Sequence, residues 1–135
     1  VTSARNASKD PRYGFFSGPI VAEFLVEDGE DYRVKLIEPL TFTDIQLPGE
    51  PEVTAPPGLT IDGASIPSFA WPLVGAPLTG DFRRAAAIHD YECRMQAIRS
   101  TIVHERFYRA MRADGVGWFR ARLMLLAVRY FGPQF

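Results

Sequence analysis

Apolar and polar positions divide the chain into three stretches of different period. From Ile20 to Asp44 the pattern is that of strands. IVAEFLVE is rich in β-branched and aromatic residues, EDGED supplies a turn at Asp28-Gly29, and YRVKLIE sets Tyr32, Val34 and Leu36 against Arg33, Lys35 and Ile37. LTFTDI adds a third strand to this hairpin or meander. From Asp81 onward the period is helical. A first helix runs to about Met95, capped by Asp81 or Thr79, with Phe82, Ala85, Ala86, His89 and Cys93 on one stripe. A second, capped by Ser100 or Thr101, carries His104, Phe107, Tyr108 and Met111 on one face and ends at Gly115 and Gly117. A third, Trp118 to Tyr130, is apolar over a wide arc and stops at Gly132-Pro133.

Between these stretches the punctuation changes. Eight of the eleven prolines fall from Pro39 to Pro77, and over residues 46–80 neither a long helix nor a central strand fits. Leu59, Ile61, Ile66, Phe69, Trp71, Leu73 and Val74 are nonetheless too apolar for a solvated linker, and an ordered loop packed on the core is expected. The fold class is therefore α+β: a flexible arm over residues 1–14, then a single domain over 15–135. That domain has a β part at 15–45, a Pro/Gly-rich loop at 46–80 and a three-helix part at 81–135. The expected core is Phe24, Val34, Leu36, Ile61, Ile66, Trp71, Leu73, Ala85, Ile88, Phe107, Met111, Leu123, Leu126 and Val128.

At 135 residues and 47% hydrophobic, the chain has enough apolar surface for one core. Its net charge of -1 hides a split. Residues 1–80 hold 5 basic and 11 acidic side chains; residues 81–135 hold 10 arginines and 5 acidic side chains. The arginines are spread around three helices instead of along one stripe, so mutual neutralisation is expected and nucleic acid is not an expected partner. One cysteine, Cys93, excludes an internal disulfide and a multi-cysteine zinc cage. No apolar run reaches membrane-span length, VTSARNASKD has no signal-peptide core, and Val1 in place of Met is consistent with a processed start.

Candidate chemistry gathers at four places. His89-Asp90 lies mid-helix after three alanines; neighbours about 100° apart suit two separate tasks, His89 as general base and Asp90 as oxygen ligand to a hard cation such as calcium. The alternative is a packed His89 with Asp90 paired to Arg94. His104 can approach His89 if the two helices are antiparallel, forming a metal site or hydrogen-bonded dyad, or it can sit at the core edge bonded to a carbonyl. Asp62-Gly63-Ala64-Ser65 makes a tight turn able to cradle an ion, or an Asx turn that fixes the loop. Ser65 as a nucleophile requires a base, and no GxSxG elbow surrounds it. Cys93, four residues after His89, reads either as a Cys-His pair or as a buried structural thiol.

The stretch GLTIDGASIPSFAWPLVGAPLTGDFRRAAAIHDYECR, followed by FYRAM, GV and LAVRYFG, resembles a phage- and prophage-borne family of unknown function, number 1353. The resemblance covers Leu59 to Gly132, with Ile61 in place of Thr and Val103-His104 in place of Ala-Asp. AAAIHDYEC and VHERF are also remotely similar to the viral form of phospholipase A2. That similarity implies His89 as the base for water, Asp90 as calcium ligand with Asp62 to Ser65 completing the site, and His104 in the place of the carboxylate that orients the base. Cys93 stands where a tyrosine belongs, and Glu105 or Asp62 would have to supply the missing negative charge.

Two functions follow as expectations. One is a small calcium-dependent, phospholipase A2-like hydrolase acting at a phospholipid or membrane surface. The other is a non-catalytic virion component, tail- or capsid-associated, bound to other phage proteins. The expected location is the virion or the host cytoplasm.

Overall fold

A computed structural model describes residues 7–25, 33–61, 65–73 and 80–135. Six short strands precede three helices: β1 Phe15–Phe16, β2 Ala22–Leu25, β3 Arg33–Leu36, β4 Leu40–Thr43, β5 Glu52–Ala55, β6 Thr60–Ile61, α1 Arg83–Met95, α2 Ser100–Ala113 and α3 Trp118–Phe131. The α+β class is observed. The strands form two antiparallel sheets, ordered β1-β4-β5 and β2-β3-β6. The expected β2-β3 hairpin is present, with Phe24 opposite Val34, while its Asp28-Gly29 turn lies outside the described residues. LTFTDI does not extend that meander. Its β4 pairs with β1 and β5 in the other sheet.

The proline-rich stretch holds more order than a loop. It contains β5, β6 and a 3-10 segment, Ser68–Leu73. Both strands sit at sheet edges, where a missing N–H costs no ladder bond.

Alternation decides what the sheets bury. Val34 and Leu36, and Leu40 and Phe42, point into the core at 5% exposure or less. Phe24 corrects the expected core, because it is 75% exposed. In register, Ile61, Val34 and Phe24 lie side by side, and burial fades from Ile61 to Phe24 on the outer strand. Leu126 is a second correction: it lies on the side of α3 away from the buried Ala121, Met124, Leu125 and Val128. Leu123 is half-buried, and the side chains of Trp71 and Leu73 fall outside the described set.

α1 is the central helix. Ala85, Ala86 and Ala87 are fully buried, and their small side chains let α1 pack on β4, β5 and β6 while its other side meets α2. α3 packs on α2 and on the Ser68–Leu73 segment.

The helix ends depart from the sequence reading. α1 follows a 3-10 turn, Gly80–Phe82, with Phe82 at its N-cap and no side-chain cap, so Asp81 does not cap it. Thr79 lies outside the described residues. Arg99 is the N-cap of α2, again without a side-chain bond. Ser100 is instead the first helical residue, and its Oγ accepts from the Phe135 N–H at 3.1 Å. Gly115 ends α2 as expected. Its φ of 88° is open to glycine, and an added Cβ would come 2.7 Å from Lys9 Cδ. The Lys9 and Asp10 N–H groups donate to the Ala113 carbonyl at the same corner, at 3.0 and 3.3 Å.

Candidate functional site

Four segments meet behind α1. Ser65 follows β6; α1 supplies His89, Asp90 and Cys93; α2 supplies His104 and Phe107; Pro133 follows α3. Helical spacing places His89 and Cys93 one turn apart on the same face, with Cys93 Sγ 3.6 Å from His89 Nε2. The short link between α1 and α2 brings His104 onto His89, with His89 Nε2 2.9 Å from His104 Nδ1. Phe107, one turn further along α2, stacks on the His89 ring at 4.3 Å and 21°.

The outer ends of this pair are held as well. His89 Nδ1 lies 2.9 Å from Ser65 Oγ, which also meets Asp90 Oδ1 in a short contact. His104 Nε2 lies 2.9 Å from the Pro133 carbonyl oxygen. A line of hydrogen bonds thus runs Asp90–Ser65–His89–His104–Pro133. All four side chains in it are buried.

Burial sets the charge state. Desolvation, with His104 beside it, pushes His89 down to about 3. His104 is also lowered by burial, opposed by its bond to Pro133. Cys93 is pushed up to about 12 by burial, with Asp90 and Glu92 adding to the effect. Both imidazoles are therefore neutral and the sulfur is a thiol. The Pro133 carbonyl can only accept, so His104 carries its hydrogen on Nε2 and presents a lone pair at Nδ1. If His89 donates from Nε2, its Nδ1 is the acceptor facing Ser65; if the Ser65 hydroxyl donates to Asp90, His89 Nδ1 is the donor instead.

The expectations at this site divide as follows. His89, His104, Asp90 and Ser65 are brought together, and an imidazole nitrogen lies beside Ser65 Oγ where the sequence placed none. Both readings of His104 coexist, since one ring nitrogen meets His89 and the other a carbonyl. Asp62, Gly63 and Ala64 lie outside the described residues. Glu105 is exposed on α2 and so turned away from the buried pair. The cluster His89, Cys93 and His104 is a nitrogen–sulfur set, which does not indicate calcium.

Two features escaped sequence reasoning. One is the Pro133 carbonyl, invisible because every residue has one. The other is a buried charge cluster in which Asp44, 0% exposed, accepts from Arg106 Nε at 3.0 Å and from Arg109 Nε at 2.7 Å, while Arg106 also binds Glu92. Arg106 is buried, and its partner Asp44 comes from the acidic front half. A cleft of about 520 Å³ lies apart from the histidines, lined by Ser8, Lys9, Phe16, Arg84 and Asp114 among others.

Comparison with known proteins places the chain without naming an activity. The profile of a family described as a protein of unknown function (DUF1353) matches residues 34–128. An uncharacterized protein y4jT of Sinorhizobium fredii (strain NBRC 101917 / NGR234) is 34% identical over 122 residues, 90% of this chain and 35% of that protein. A second, y4iH of the same strain, is 41% identical over 73 residues, 54% of this chain and 30% of that protein. The chain thus spans about a third of the length of these curated relatives. No solved structure matches it. Among the described residues, no helix is long and apolar enough to cross a membrane.

Proposed function

For a chain that belongs to the DUF1353 family, whose function is unknown, we propose a hydrolase of acyl esters built on Ser65, His89 and His104. The observation that carries the reading is the pair of 2.9 Å contacts on His89, Nδ1 to Ser65 Oγ and Nε2 to His104 Nδ1. This is the nucleophile–base–orienter geometry that makes a hydroxyl reactive. Ser65 Oγ attacks the acyl carbon and its proton passes to His89 Nδ1. Collapse of the tetrahedral adduct breaks the ester C–O bond, and the leaving alcohol takes that proton. Water, deprotonated by His89 in turn, then cleaves the acyl-serine and restores the hydroxyl. His104 holds the ring and its tautomer, and Asp90 fixes the Ser65 side chain. The reading retains the phospholipase-like base at His89 and does without the calcium expected at Asp90, whose Oδ1 is engaged by Ser65.

The test is turnover of a short-chain nitrophenyl ester together with fluorophosphonate labelling. Ser65→Ala and His89→Ala are expected to bring hydrolysis to background, with the label located on Ser65. A folded chain with neither turnover nor label at Ser65 overturns the reading.

One observation favours a second reading, a non-catalytic interaction component such as a virion protein. On the outward side of α3, Trp118, Phe119, Leu126 and Tyr130 are exposed beside Arg122 and Arg129. Exposed apolar clusters of this kind mark contact surfaces. This reading expects Phe119→Ser with Tyr130→Ser to abolish partner binding, and His89→Ala to leave it intact.

A further inference from the structure

The line Asp90–Ser65–His89–His104–Pro133 contains four contacts, and each needs one hydrogen. Ser65 supplies one and each neutral imidazole supplies one. Three hydrogens thus serve four contacts, and the Ser65 hydroxyl is a donor to Asp90 Oδ1. With Ser65 donating to Asp90, His89 donating to Ser65 and His104 donating to Pro133, the lone pairs of His89 Nε2 and His104 Nδ1 face each other. Cys93 Sγ points at the same place.

We infer that this meeting point is a metal site, in which His89 Nε2, His104 Nδ1 and Cys93 Sγ bind a divalent cation of the zinc class. The three ligand atoms lie within 4.8 Å of one another, with separations of 2.9 Å between the nitrogens and 3.6 Å between sulfur and His89. Tetrahedral zinc, at about 2.0–2.1 Å from nitrogen and 2.3 Å from sulfur, sets its ligands about 3.3 Å apart for N–N and 3.6 Å for N–S. The sulfur spacing is already met, and the nitrogens need to part by roughly 0.4 Å.

The surroundings fit the same ion. A ligating histidine commonly directs its other N–H to a carbonyl or a carboxylate. Here His104 has the Pro133 carbonyl, and His89 has Ser65 leading to Asp90. With a cation between the two facing nitrogens, three hydrogens satisfy the three remaining contacts. Binding releases the proton of the Cys93 thiol. Two imidazoles and a thiolate select zinc or cobalt over calcium and magnesium.

One part of this inference rests on the hydrolase reading. The seated metal fixes a hydrogen on His89 Nδ1, so His89 cannot accept the Ser65 proton, and the metal-loaded form is the inactive one.

The experiment is titration of the chelator-treated chain with cobalt(II), both folded and during refolding, followed by displacement with zinc. Visible ligand-field bands and a near-ultraviolet thiolate-to-cobalt band are expected, with proton release from the thiol into a weakly buffered indicator. Cys93→Ser should lose the thiolate band, and His104→Ala should lose both. If either variant fails to fold, X-ray absorption of the zinc-loaded native chain must show nitrogen and sulfur ligands together. No cobalt bands under either condition, or a thiolate band that survives Cys93→Ser, overturns the site. Ester turnover read in parallel separates the two claims: zinc should suppress it at least tenfold. Cobalt bands with no turnover in the metal-free chain sink the hydrolase alone, whereas turnover without bands sinks the metal alone.

Discussion

His104 Nε2 lies 2.9 Å from the Pro133 carbonyl oxygen, and this contact decides which nitrogen a neutral His104 turns to His89. A carbonyl only accepts, so a neutral His104 must turn its other nitrogen to His89 as an acceptor. The tail is tied down at the same point by a second pair of bonds: the Ser100 N–H donates to the Phe135 carbonyl at 2.9 Å, and the Phe135 N–H donates to Ser100 Oγ.

Ending the chain after Gly132 removes all three contacts. His104 is then expected to populate both neutral tautomers, where the native chain holds one. Nitrogen-15 spectra of the imidazoles report this directly. A stability loss of about 1–3 kcal/mol should accompany it, as for hydrogen bonds lost from buried groups. An unchanged tautomer would remove Pro133 from the account.

His104→Asp tests the orienting residue. A carboxylate under His89 Nε2 stabilises the imidazolium formed during proton transfer, which a neutral imidazole does less well. The expected outcome is a rise in kcat of about tenfold or more for ester turnover, since disrupting the equivalent carboxylate in serine hydrolases costs about 10⁴. The same variant leaves Pro133 without its donor, so its denaturation midpoint should fall. A slower enzyme would count against His104 as an orienting group.

Asp44→Ala should be among the more damaging changes in the fold. The carboxylate is fully buried and binds both Arg106 and Arg109. Its removal leaves Arg106 with Glu92 alone and takes the anion from a buried pair, at a cost of about 3–5 kcal/mol in denaturant unfolding. A loss below 1 kcal/mol would mean that the arginines reach water when released.

Asp114 gives the fold an acid-side pH dependence. Burial holds its carboxyl above the ordinary range, outweighing the opposing Arg84 guanidinium. The folded chain therefore keeps this proton to higher pH than the unfolded one does. That contribution to stability is complete below the unfolded value of about 3.9 and is lost as pH rises through the folded value. Relative to the native chain, Asp114→Asn should show a flatter stability profile over this window. Parallel profiles for the two proteins would show that the group does not act as described.

Periodicity made much of the architecture legible. The β2-β3 hairpin, the three helices and Gly115 as a helix end follow from alternation, 3.6-residue spacing and glycine. The sequence did not reveal which sheet received β4, because LTFT alternates equally well beside either neighbour. Nor did it reveal the exposure of Phe24, which depends on its strand being outermost. At the site, His89, Asp90 and His104 stood out because their side chains are chemically distinctive. Ser65 acquired an imidazole neighbour only when the chain brought it against α1, 24 residues away. The Asp44–Arg106 pair spans 62 residues and has no local signature.

The contacts of the buried line close loops of different length: 15 residues for His89–His104, 24 for Ser65–His89 and 29 for His104–Pro133. Loop-closure entropy grows with length, so the helical hairpin that pairs the histidines is the least costly of these to form. Cys93 already belongs to that hairpin. The two imidazoles and the sulfur can thus meet within one helical hairpin, whereas the tautomer lock requires a separate and longer closure to Pro133.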